Sequence, residues 1–138
     1  MSDTPALRPI EPHLRGEDPP DDAVLVLRGG PLTAAKLLEH ALREQRRFSY
    51  RGLPMPSVSV DATVGGWTVD TILERRLWTR TSYAATTVAR LRQAGYVLLP
   101  TFDVPHYDLL LPAASEAAAS TLLSVFGPPE RNPYRRRR

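Results

Sequence analysis

Residues 95–112 read Gly-Tyr-Val-Leu-Leu-Pro-Thr-Phe-Asp-Val-Pro-His-Tyr-Asp-Leu-Leu-Leu-Pro, two short apolar runs flanking a connection bounded by Pro100 and Pro105. Apolar runs this short, punctuated by glycine and proline, fit strands better than helices. The stretch predicts a buried β-ribbon with Leu98, Leu99, Leu109 and Leu111 in the core. Its tip carries the polar chemistry, Thr101, His106 and Tyr107.

Working back from the ribbon, residues 88–94 have a helical pattern, and Gly95 is placed to stop that helix in the left-handed conformation. Before it, Thr79, Thr81, Thr86 and Thr87 with Tyr83 favour a strand, because β-branched and aromatic side chains suit a pleated surface. Whether residues 81–86 are strand or helix separates two functional readings. Thr68 can cap a helix whose buried stripe is Val69, Ile72, Leu73 and Leu77. Ser57-Val58-Ser59-Val60-Asp61-Ala62 alternates polar and apolar residues, so both serines share one face of a half-buried strand. Thr33 opens the clearest helix, with Ala34, Leu37, Leu38, Ala41 and Leu42 on one face and Glu39 and Arg43 as an i,i+4 pair. His40 on that helix reads as a boundary histidine.

Ala23-Val24-Leu25-Val26-Leu27 has no alternation and predicts a central strand covered on both faces. It ends at Arg28-Gly29-Gly30-Pro31, where glycines let backbone amides turn outward beside an arginine. Downstream of the ribbon, Ser115 caps a last helix that buries Leu122, Leu123, Val125 and Phe126. Together these elements predict an α+β (or α/β) domain, a single mixed β-sheet of four to five strands packed by three to four helices. Five prolines before residue 21 predict a flexible arm over 1–21, ahead of a globular domain over 22–127 and a Pro/Arg-rich tail over 128–138.

Bulk properties limit the function classes. The 138 residues suffice for one domain, and 42% apolar with 24% charged residues is ordinary for a globular protein. No apolar run approaches the ~20 residues of a membrane span, and no signal-peptide core is present, so the expected address is cytoplasmic with no membrane partner. Without cysteine, disulfides, thiolate nucleophiles and cysteine zinc sites are excluded. The formal charge of +3 comes from the C-terminus: residues 130–138 hold five of the 18 basic residues and one of the 15 acidic ones, leaving a nearly neutral body. Such a tail can attract polyanions by a salt-sensitive mechanism.

Three constellations carry possible chemistry. In the first, Arg28, the Ser57 and Ser59 face, and Thr101, His106 and Tyr107 converge at one end of the sheet. An imidazole that moves protons near neutral pH and an arginine that stabilises phosphate charge suit phosphodiester chemistry without cofactor or metal. Arg28 ending a first core strand and Ser57-Val58-Ser59 beginning a later one resemble mono-ADP-ribosyltransferase toxins. That family's later Glu-x-Glu or Gln-x-Glu signature is absent here, so the resemblance does not extend to NAD.

In the second, residues 82–94 form one helix and the order resembles a winged helix-turn-helix with the ribbon as wing. Arg80, Tyr83 and Arg90, with Arg135 and Arg136 of the tail, would then contact nucleic acid. The third is a non-catalytic module whose aromatics, Trp67, Trp78, Phe102 and Tyr107, dock a protein partner such as an antitoxin. The first is the leading expectation: a small bacterial protein of toxin or effector type acting on RNA or a nucleotide, with Arg28 stabilising the anion and His106 carrying the proton.

Overall fold

The computed structural model describes residues 6–29 and 32–136. Parts of the expected arm (residues 1–5), of the glycine turn (Gly30 and Pro31) and of the tail (Arg137 and Arg138) lie outside the described residues. In chain order the elements are β1 (Arg8–Pro9), a 3-10 turn (Glu11–His13), β2 (Val24–Gly29), α1 (Ala34–Gln45), β3 (Phe48–Tyr50), β4 (Leu53–Pro54) and β5 (Ser57–Ala62). There follow α2 (Val69–Arg75), β6 (Ser82–Thr87), α3 (Val88–Gln93), β7 (Val97–Leu99), β8 (His106–Leu110), α4 (Glu116–Leu123) and β9 (Glu130–Arg131).

The class is α+β, with four helices among the described residues, but the expected single mixed sheet of four to five strands is corrected. Six strands form one sheet in the order β7-β8-β5-β2-β6-β9, with every neighbour antiparallel, and β1-β3-β4 form a separate small sheet. The extra strands are mostly two residues long and are held by backbone hydrogen bonds, which leave no side-chain alternation to read.

Local signals set most boundaries. The side chains of Thr33, Thr68, Thr87 and Ser115 each accept a backbone N–H from the first turn of their helices, satisfying donors that lack intrahelical partners. Thr68 and Thr71 do so reciprocally. Gly95, at φ 87°, terminates α3. The ribbon is present as β7 and β8, with Leu98 opposite Leu109, and Leu98, Leu99, Leu109 and Leu111 are buried.

Strand alternation divides the main sheet into two unlike faces. Leu25, Leu27, Val58, Val60, Ala62, Tyr107 and Leu109 pack beneath Leu37 and Ala41 of α1, Leu91 of α3 and Leu122 of α4. On the opposite face Val26 packs with Ile72 and Leu73 of α2 and with Leu77 just beyond it, and Tyr83 lies against the same cluster. Towards the β7 edge Leu99 and Leu110 share this face and pack with Ile10, Phe48 and Met55. Between the two apolar patches the face is polar, with Arg28, Ser57, Ser59, Asp61, His106 and Asp108 in neighbouring positions.

The described segments near each end pair with this frame. Arg8 and Pro9 pair in parallel with Phe48 and Ser49, and Ile10 is fully buried against Phe48, Met55 and Leu99. At the other end, Glu130 and Arg131 extend the main sheet beside Tyr83 and Ser82. Asn132 is buried, its side-chain amide donating to the carbonyls of Leu77 and Arg80. Among the described residues, no helix is long and apolar enough to cross a membrane.

Because Ile10 fills a closed pocket, Ile10→Ala is expected to destabilise the protein by about 2–4 kcal/mol in urea denaturation. A loss below about 0.5 kcal/mol would show that the segment before residue 22 lies outside the cooperative unit.

Candidate functional site

The polar face is assembled by the register of β5 and β8, in which Ser59 lies opposite Asp108 and Asp61 opposite His106. The ribbon tip then folds over them. Phe102 sits there at φ 60°, a left-handed conformation uncommon for an aromatic residue. Its ring stacks on His13 at 4.9 Å and meets His106 edge-on at 5.7 Å.

Two polar groupings result. In the first, Asp108 is almost wholly buried and accepts from the Thr101 hydroxyl at 2.6 Å and from the Ser57 hydroxyl at 3.4 Å. His106 Nδ1 lies 3.1 Å from the Thr101 carbonyl and 3.2 Å from its hydroxyl, and His106 Nε2 lies 3.1 Å from Ser59 Oγ. A carbonyl can only accept, so Nδ1 carries a proton. In the neutral imidazole Nε2 is then the acceptor, and the Ser59 hydroxyl donates to it. The chain Asp108–Thr101–His106–Ser59 is thus a directed hydrogen-bond relay.

The second grouping is ionic. Asp61 is fully buried, and Arg76 Nε donates to its Oδ1 at 3.0 Å. Arg28 Nε stands 3.9 Å from Oδ2, close enough for charge attraction but too far for a hydrogen bond. Neither Arg28 Nε nor Asp61 Oδ2 has a hydrogen-bond partner among the described residues. Burial depresses the Arg28 pKa below its ordinary value, partly offset by Asp61, while Arg76 and Arg80 push in the same direction as burial. Arg28 and Arg76 thus flank Asp61, and Arg80 adds a third positive charge that acts on Arg28, with Asp108 opposing it.

These groupings meet at a cleft of about 290 Å³, bounded by Arg28, Lys36, Glu39, His40, Arg43, Ser59 and Arg80 over an apolar floor that includes Leu37 and Val58. That volume is at the low end of small-molecule sites, about 300–1,000 Å³. Four permanent cations face one carboxylate, so the cleft suits an anion. His40 also borders it, with Nε2 buried and unpartnered. Its pKa is lowered from the usual 6.5, first by burial and then by Arg43 and Arg28, while Asp108 opposes the shift and Arg80 adds to it. Among the described residues, no three His, Asp or Glu side chains gather as a metal site.

The residues expected from sequence separate accordingly. Arg28, Ser57, Ser59, Thr101 and His106 come together. Tyr107 points to the opposite face, buried in the core, with its hydroxyl donating to the Glu17 carbonyl at 3.1 Å. Arg80 joins the cleft. Tyr83 donates to Glu130 at 2.6 Å, and that bond pushes its pKa up to about 12. Arg90, Arg135 and Arg136 are exposed and border no part of the cleft. Residues 82–87 are a strand paired along β2, so the recognition helix required over residues 82–94 is shortened to Val88–Gln93. Sequence reading missed Lys36, Arg43, Asp61, Arg76 and Asp108, and treated His40 as a bystander. The i+7 spacing of Lys36, His40 and Arg43 on one helix face was the available signal.

Compared with protein-family models, curated proteins and solved structures, the chain matches none.

A depressed His40 pKa fixes the sign of a stability effect. Above the ordinary value near 6.5, the histidine is neutral folded or unfolded and no penalty arises. As pH falls below it the unfolded chain takes the proton first, so stability is lost until the folded-state value is passed. Urea denaturation between pH 8 and pH 5.5 should therefore show a steeper acid-side loss for the wild type than for His40→Gln. Parallel profiles would mean that His40 is not held neutral.

Proposed function

We propose that this protein acts on a phosphate ester of RNA or a nucleotide by acid–base chemistry, as a small effector of the toxin type. The observation that carries the reading is the contact of His106 with Ser59, itself part of the lining of a cleft walled by Arg28, Lys36, Arg43 and Arg80. The cations would hold the phosphoryl group and stabilise the charge that grows on its oxygens during transfer. His106 would take a proton as the new bond to phosphorus forms and return one to the departing oxygen.

Arg28 is suited to the first role because it borders the cleft with its side chain about one-third exposed, while its buried Nε is held towards Asp61 at 3.9 Å. His106 is suited to the second because Thr101 fixes its ring from behind. Neither role requires Tyr107. A near-neutral body is compatible with this assignment, since what matters is the local excess of cations at the cleft and not the charge of the whole chain.

With short RNA and free nucleotides as substrates, His106→Gln should lower kcat/KM by about 100-fold or more while moving Tm by only a few degrees. Arg28→Met should act on both KM and kcat. A wild-type protein inactive on every phosphate ester tried, or a His106→Gln variant that retains full activity, would defeat the proposal.

A further inference from the structure

The attacking group in phosphoryl transfer can be water, a hydroxyl of the substrate or a side chain of the protein. Among the described residues, Ser59 is the one member of the relay that borders the cleft; His106, Thr101, Ser57 and Asp108 do not. The lone pair of His106 Nε2 is already engaged by the Ser59 hydroxyl at 3.1 Å. A base so occupied is placed to remove the proton of Ser59, and a substrate hydroxyl would have to displace Ser59 to reach it. The far nitrogen is locked by the Thr101 carbonyl, and the Thr101 hydroxyl by Asp108. Nucleophile, base and orienting group thus stand in series. Ser59 also lies within β5, between β2 and β8, and a central strand holds an attacking atom more closely than a loop does.

Resting on the reading above, we propose that Ser59 is the nucleophile and that the reaction passes through a phosphoryl-serine intermediate. In the first half, Ser59 Oγ bonds to phosphorus while its proton passes to His106 Nε2. The bond from phosphorus to the leaving oxygen breaks, and that oxygen takes the proton from His106 or, where it departs as a stable anion, His106 releases the proton to solvent, so the imidazole is neutral again either way. In the second half, water attacks the same phosphorus and gives a proton to His106. The bond from phosphorus to Oγ breaks, and Oγ takes that proton back, restoring the hydroxyl. No redox partner enters, and charge stays on the phosphoryl oxygens beside Arg28 and Arg80. The substrate class follows: phosphate esters of a nucleoside whether or not a 2′-hydroxyl is adjacent, because the protein supplies the attacking oxygen.

The test uses the 3′-(p-nitrophenyl phosphate) esters of uridine and of thymidine, which differ in the neighbouring 2′-hydroxyl. The wild-type chain should turn over both at rates within about tenfold of one another, with a burst of p-nitrophenolate approaching one per chain. Acid quenching followed by peptide mass spectrometry should find the nucleotidyl group on Ser59. Ser59→Ala, checked for an unchanged circular dichroism spectrum, should lose the adduct and about 100-fold or more of the rate. Turnover of the uridine ester alone, with Ser59→Ala as active as wild type and no adduct, would overturn the nucleophile and leave the function proposed above standing. Failure to turn over either ester, with no adduct, would overturn both.

Discussion

The antiparallel register between β5 and β8 is the constraint on which the rest of the site depends. With Ser59 opposite Asp108 and Asp61 opposite His106, every polar residue of these two strands lands on one face, and Val58, Val60, Tyr107 and Leu109 land on the other. A slip of one residue would exchange the faces, burying carboxylates under α1 and α4 and exposing the core. The apolar side makes that slip costly. The hydrophobic packing that stabilises the fold is therefore also what holds His106 against Ser59.

Burying charge on the polar face is unfavourable unless each group finds a partner. Asp108 is satisfied by two hydroxyls, Asp61 by one guanidinium and by the nearness of a second. Among the described residues, the pairing is incomplete between Arg28 Nε and Asp61 Oδ2. At the cleft itself Arg28, Lys36, Arg43 and Arg80 outnumber Glu39, a local excess of positive charge. The C-terminal segment contributes indirectly, since Asn132 braces the carbonyl of Arg80 and so helps define where that cation stands.

Much of the frame was legible from the chain. The ribbon, the four helices with the caps Thr33, Thr68 and Ser115, and the shared face of Ser57 and Ser59 follow from periodicity and capping, which are local properties. Arg28 and His106 could be nominated because they close or begin apolar strands. Burial of Asp61 and Asp108 was not legible, because nothing in a sequence marks that Asp61 will meet Arg76, 15 positions on, or that Asp108 will meet Ser57, 51 positions back. The contribution of Lys36 and Arg43 depends on which way α1 is turned, and their helix reads equally well as a solvated face. The pairings of β1 and β9 escaped for a further reason. They rest on backbone hydrogen bonds, and the proline-rich and arginine-rich composition around them reads as an arm and a tail.

The proposed chemistry needs a proton path, with the hydroxyl of Ser59 donating to Nε2 of His106 while Nδ1–H is held by Thr101. The most direct measurement is the nitrogen-15 NMR spectrum of the His106 side chain at a pH where the ring is neutral. The arrangement predicts an imidazole with its proton on Nδ1 and an acceptor Nε2 whose shift changes in Ser59→Ala. A ring protonated on Nε2, with a spectrum indifferent to Ser59, would contradict it.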